Sequence, residues 1–170
     1  DDSEPVTAEL LQELLTGGLY VNVHTAAYPA GEIRGQIETK SGWGFRAALE
    51  PGDGVASEGS GTATAVLTYW GLAYSVTVNG LTGPITVAHF HSGGTGETGP
   101  PVRTITGDFD GNTAIGLWSY EDDEFLTPEL VEELIAGRVY LNVHTAANPQ
   151  GEIRGQVFLN TATSLGASLT

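Results

Sequence analysis

Four histidines, His24, His89, His91 and His144, are the residues of this chain best suited to chemistry. His89 and His91 alternate within an apolar run. On an extended strand both point to one face, with Cα atoms roughly 6.5–7 Å apart, and at that spacing two imidazoles can meet one ion. His144 ends a second alternating run, Tyr140-Leu141-Asn142-Val143-His144, and in a closed sandwich it could add a third nitrogen. Three imidazoles without sulfur suit Cu(II) or Zn(II) and are too soft a set for calcium or magnesium. Copper is the expected cofactor, with zinc as the alternative. His24 lies in a duplicate of the His144 run and is the fourth candidate ligand, able to complete or mirror the site if its segment docks on a neighbouring domain. The competing account is that these are half-buried sheet histidines held by hydrogen bonds.

Other chemistry finds little footing. Without cysteine there is no thiolate, zinc–sulfur site or disulfide. No Ser or Thr stands in an activation motif, no glycine-rich phosphate loop precedes a helix, and no carboxylate pair stands out. The expectation is a protein that is not an enzyme, dismutase-like redox at copper being the one conceivable activity. A formal charge of −15 with six basic residues excludes nucleic acid as a partner, since phosphate binding needs clustered Lys or Arg. No apolar run approaches the roughly 20 residues of a membrane span, so membrane insertion is not expected. The chain has no methionine and opens at Asp1-Asp2, which suggests a processed, secreted protein. Glu32/Arg34 and Glu152/Arg154 are expected to form salt bridges within their hairpins, or to orient His144 from outside the site. Asp108-x-Asp110-Gly111-Asn112 has the flavour of a calcium loop but lacks the twelfth-position glutamate, and reads as a turn. Glu121-Asp122-Asp123-Glu124 reads as solvated charge.

An internal repeat organises the elements that must position these residues. Residues 6–37 align without a gap on 126–157, an offset of 120. Tyr20-Val21-Asn22-Val23-His24-Thr25-Ala26-Ala27 matches Tyr140-Leu141-Asn142-Val143-His144-Thr145-Ala146-Ala147, and Gly31-Glu32-Ile33-Arg34-Gly35-Gln36 recurs unchanged at 151–156. Each copy reads as a short amphipathic helix with a capping Thr7 or Thr127 and a closing Gly17 or Gly137. A β-hairpin follows it. Between the copies, strands are expected at 45–49, 61–69, 72–78, 85–91, 102–105 and 113–118, separated by Gly-rich turns. That makes about eight strands, spaced as in an all-β sandwich. The domain expectation is an N-terminal helix and hairpin at 1–40, a complete domain at 41–159, and a connector or extra strand at 160–170.

Residues 43–158 resemble the CHRD (chordin-type) domain. The resemblance rests on Gly61-Thr62-Ala63-Thr64-Ala65, on the run from Leu72 to Gly83, on Ala88-His89-Phe90-His91, on Gly99-Pro100-Pro101-Val102 and above all on the run from Tyr140 to Gln156. Residues 6–38 resemble the last third of the same domain. The resemblance implies a Greek-key antiparallel β-sandwich, similar in its His-x-His strand to Cu/Zn superoxide dismutase, although the other ligands of that enzyme are not recognisable. A hairpin without a sheet of its own must pack on something. The expected partner is self: residues 1–40 dock on the next subunit, giving a head-to-tail homopolymer. The alternatives are a monomeric extracellular copper-binding module and an adhesion unit of a longer CHRD array.

Overall fold

The computed structural model describes residues 10, 13–14, 17–39, 42–160 and 165–167. Its architecture follows from alternation. In β3 (Trp43–Pro51), β4 (Ser60–Thr68) and β5 (Gly71–Asn79), every second side chain is buried: Phe45, Ala47 and Leu49, then Ala63, Ala65 and Leu67, then Leu72, Tyr74, Val76 and Val78. A period of two buries one face of a sheet and leaves the other to water. Further along come β6 (Ile85–Ser92), β7 (Pro101–Thr104), a 3-10 turn (Thr106–Asp108), β8 (Phe109–Asp110) and β9 (Thr113–Ser119). The helix α1 (Pro128–Ile135) then leads to β10 (Val139–Thr145), β11 (Ile153–Gln156), β12 (Phe158–Leu159) and β13 (Leu165–Ala167). Ahead of all these stand β1 (Tyr20–Val23) and β2 (Ile33–Thr39).

The large sheet has the order β7-β6-β10-β11-β3-β4-β5-β9-β8, with β12 also on β3. Its pairings are antiparallel, and it curls so that its two halves enclose one core. Phe90, Trp118, Leu141, Val143 and Ile153 meet in that core the inward residues of β3, β4 and β5. The all-β sandwich expected from the sequence is the fold observed. The expected strands extend by one or two residues at most ends. The two-residue strands β8 and β12 carry too little pattern to be read from sequence.

α1 forms where its caps lie. Thr127 accepts a hydrogen bond from the Leu130 amide at 3.2 Å, Pro128 opens the helix, and Gly137 follows it at φ +70°. Val131 and Leu134 face the core. The matching helix expected at 8–15 lies largely outside the described residues, although Leu10, Glu13 and Leu14 are helical.

The two hairpins share one register. Tyr20 faces Gln36 as Tyr140 faces Gln156, and Val23 faces Ile33 as Val143 faces Ile153. Gly31 and Gly151 both adopt φ +120°, where a Cβ would collide with Asn22 or Asn142. Their surroundings differ. β1 and β2 form a small three-stranded sheet with β13, and Tyr20 is 49% exposed where Tyr140 is 2%. Val23 is 39% exposed where Val143 is wholly buried.

Candidate metal centre

β6 and β10 are antiparallel neighbours, with His89 opposite Asn142, His91 opposite Tyr140 and His144 opposite Val87. Ala88 and Phe90 turn into the core, so His89 and His91 share the other face. His144 joins them from the adjacent strand. Ring centroids are 5.4 Å apart for His89–His91, 5.6 Å for His89–His144 and 6.5 Å for His91–His144. One nitrogen from each ring lies within 4.8 Å of the other two. An ion with metal–nitrogen bonds of about 2.0–2.1 Å would draw them together by small ring rotations.

Hydrogen bonds set the tautomers. His91 Nδ1 lies 2.9 Å from the Gly99 carbonyl, and His144 Nδ1 lies 3.1 Å from the Pro149 carbonyl. A carbonyl only accepts, so both Nδ1 atoms carry the proton and both Nε2 atoms present a lone pair. Those Nε2 atoms, with His89 Nδ1, are buried side-chain atoms without a hydrogen-bond partner. Leaving three such atoms unpaired is costly, and an ion that met all three would satisfy them. Burial holds the His89 and His91 pKa values below the ordinary histidine value, and the repulsion that more than one proton in the cluster would create adds to the effect in both. Glu124 opposes it at His89, and the Gly99 carbonyl opposes it at His91. Both rings are therefore neutral at pH 7, the state that ligates metal.

The surrounding residues brace the cluster. The Tyr140 ring stacks on His91 at 4.7 Å and 12°, and the Arg154 guanidinium lies 3.5 Å from the centre of the Tyr140 ring. Arg154 Nη2 also donates to the Gly94 carbonyl at 3.2 Å, which ties the stack to the Gly-rich loop. Glu124 accepts from the Thr104 amide at 2.6 Å, beside the rung where Thr104 faces His89. Tyr140 and Glu124 were not picked out from sequence. The signal for Tyr140 was its place two and four residues before Asn142 and His144 on one face; Glu124 looked like part of a solvated run.

The expected Glu152–Arg154 salt bridge does not form. Glu152 is fully buried and accepts from Ser57 Oγ at 2.6 Å, Thr145 Oγ1 at 2.5 Å, and the Thr82 amide and Oγ1 at 2.7 Å each. Burial alone would raise its pKa. The bonds from Ser57, Thr145 and Thr82 outweigh that and hold it down to about 2. Four donors already saturate the carboxylate, so Arg154 is left to cover Tyr140. Arg34 covers Tyr20 in the same way, at 3.7 Å. In the Asp108–Asn112 stretch, Asp108 accepts from the Tyr74 hydroxyl and Gly111 turns the chain at φ +60°, as a turn rather than an ion loop. In the 121–124 run, Asp122 pairs with Arg103 at 3.0 Å.

His24 is placed outside the cluster. It is exposed at the end of β1, with Nδ1 3.0 Å from the Pro29 carbonyl, the same tautomer lock as in His144. No strand of the β6 kind lies beside β1 among the described residues.

A curled antiparallel sandwich with three convergent imidazoles on its outer face defines the class: an all-β module. The CHRD domain family model matches residues 1–37 and 45–157, and the chain belongs to the CHRD family. Chordin of Xenopus laevis is 34% identical over 179 residues, covering 94% of this chain and 18% of the frog protein. Chordin of Danio rerio is 32% identical over 173 residues, covering 89% of this chain and 18% of the fish protein. The chain thus spans less than a fifth of the length of these curated relatives. No solved structure matches it.

Proposed function

We propose that the chain is a secreted, non-catalytic CHRD module that binds one Cu(II) ion through His89 Nδ1, His91 Nε2 and His144 Nε2, and that copies assemble head to tail through residues 1–40. The observation that carries the metal reading is the coincidence of two sets: among the described residues, the buried imidazole nitrogens left unpaired are one from each of the three histidines that converge. An all-nitrogen donor set favours Cu(II) over the other first-row divalent ions, zinc being next. Placement outside the cell rests on family membership.

Assembly is supported by the contrast between the two hairpins. Val21, Val23 and Ile33 are exposed apolar residues whose counterparts Leu141, Val143 and Ile153 are buried. A sheet with one open apolar face is stabilised by a covering layer. Such a contact joins unlike surfaces, so it propagates into a filament unless the rotation closes.

The test is Cu(II) titration of the metal-free full-length chain, followed by electron paramagnetic resonance, beside electron microscopy and sizing of the same sample. One copper per chain with nitrogen hyperfine structure, and ordered filaments, are expected. Retention of stoichiometric copper by the His89→Ala/His91→Ala variant would overturn the site. A particle of 17.7 kDa at all concentrations would overturn assembly and leave a monomeric copper-binding module.

A further inference from the structure

One antiparallel register, that of a single ribbon, runs through the pairings of β3 with β11 and β12 and of β2 with β13. In the large sheet Ile153 faces Pro51, Arg154 faces Glu50, Phe158 faces Arg46 and Leu159 faces Phe45. In the small sheet Leu165 faces Thr39, Gly166 faces Glu38 and Ala167 faces Ile37. The two residue numbers of every pair share one constant sum, so these pairs keep the same register in both sheets.

The repeat offset turns this ribbon into two equivalent halves. Thr39 corresponds to Leu159, and Leu165 to Phe45. Leu165 therefore stands against β2 where Phe45 stands against β12. The sequence repeats the relation: Leu165, Ala167 and Leu169 occupy the positions of Phe45, Ala47 and Leu49, the inward apolar residues of β3. The small-sheet order β1-β2-β13 accordingly reproduces β10-β11-β3. The two ends of the chain make the beginning of a second unit.

We propose that β13 is an opening strand of the β3 kind, and that on assembly it is donated to β2 of a second copy of this chain. This rests on the assembly reading above and supplies the other half of its joint. The rungs are identical whether both strands come from one chain or from two, which is the condition under which exchange costs least. Three residues, 40–42, separate β2 from β3, and five, 160–164, separate β12 from β13. Connections this short favour exchange over closure. A donated strand also gives the N-terminal hairpin its third strand from the neighbour whose surface covers it.

The absence of cysteine allows a direct test. Ile37 donates its amide to Leu19 across β1, so towards β13 it is a non-hydrogen-bonded rung. There opposing Cα atoms are about 4.5 Å apart, within disulfide reach. The full-length Ile37→Cys/Ala167→Cys variant is assembled, oxidised and run without reductant, with Thr39→Cys/Leu165→Cys as the second variant should the first not fold. A ladder of covalent multimers that collapses to monomer on reduction is expected. Disulfide-bonded species of monomer length alone would show that the ribbon closes within each chain, and no disulfide in either variant would refute the register; both overturn the proposal. Wild-type protein that forms no polymer removes the assembly reading itself, whereas wild-type polymer with intrachain disulfides sinks only the exchange.

Discussion

A histidine whose Nδ1 donates to a backbone carbonyl has one nitrogen left for a ligand, and its direction is fixed. His91 and His144 are both held this way, so affinity depends on the groups that hold them as well as on the ligands. Replacing Tyr140 by Leu removes the ring stacked on His91 and is expected to weaken copper binding by about tenfold without abolishing it, as read by competitive titration. The lowered pKa values of His89 and His91 give the pH dependence a sign. Their neutral forms are favoured in the folded chain. The stability they lend is fully present above the unfolded value of 6.5 and is lost as pH falls through the lower folded values. Bound copper should therefore survive at pH 6.5 and be displaced by protons only below it, which a pH series of copper absorbance would show. Glu152, held down to about 2 against an ordinary 4.5, stabilises the fold above pH 4.5 and loses that effect as pH falls towards 2. Glu152→Ala leaves the Thr82 amide and three hydroxyls short of a partner and should cost about 3 kcal/mol at pH 7 by denaturant unfolding.

At the scale of elements, equal sequences in unequal surroundings give unequal energetics. Val143→Ala opens a cavity in the core and should cost about 2–3 kcal/mol. Val23→Ala, on the exposed hairpin, should cost under about 0.5 kcal/mol in the monomer, and a similar cost at both positions in urea melts would contradict the placement. The β-strands were legible because alternation and turn glycines are local signals, and α1 because Thr127, Pro128 and Gly137 mark its ends. The convergence of His89, His91 and His144 was legible because His-x-His fixes a face and the penultimate strand was expected to close on it. The fate of Glu152 was not legible. Its partners Ser57 and Thr82 lie 95 and 70 residues away, and only the curl of the sheet brings them together. The Arg154–Tyr140–His91 stack was missed for a related reason, since Arg beside Glu in sequence suggests an ion pair until the carboxylate is buried elsewhere.

At the scale of the whole molecule, the core enclosed by β3 to β12 draws on none of the described residues before Gly42. Removing residues 1–40 should leave a folded, copper-binding domain that forms no filaments, checked by circular dichroism, copper stoichiometry and microscopy. The repeat offset was plain in the sequence. Its consequence, a ribbon whose register runs through both sheets, was not, because β13 carries only three paired residues and acquires meaning from its partner. The position of the histidines has a last consequence. His91 and His144 sit on strands that are neighbours in space but are separated in the chain by the Gly-rich loop, three strands and α1. An ion held between them closes that long loop and narrows the unfolded ensemble, as a disulfide does for chains that have cysteine. This fastening would be indifferent to thiols and open to chelators.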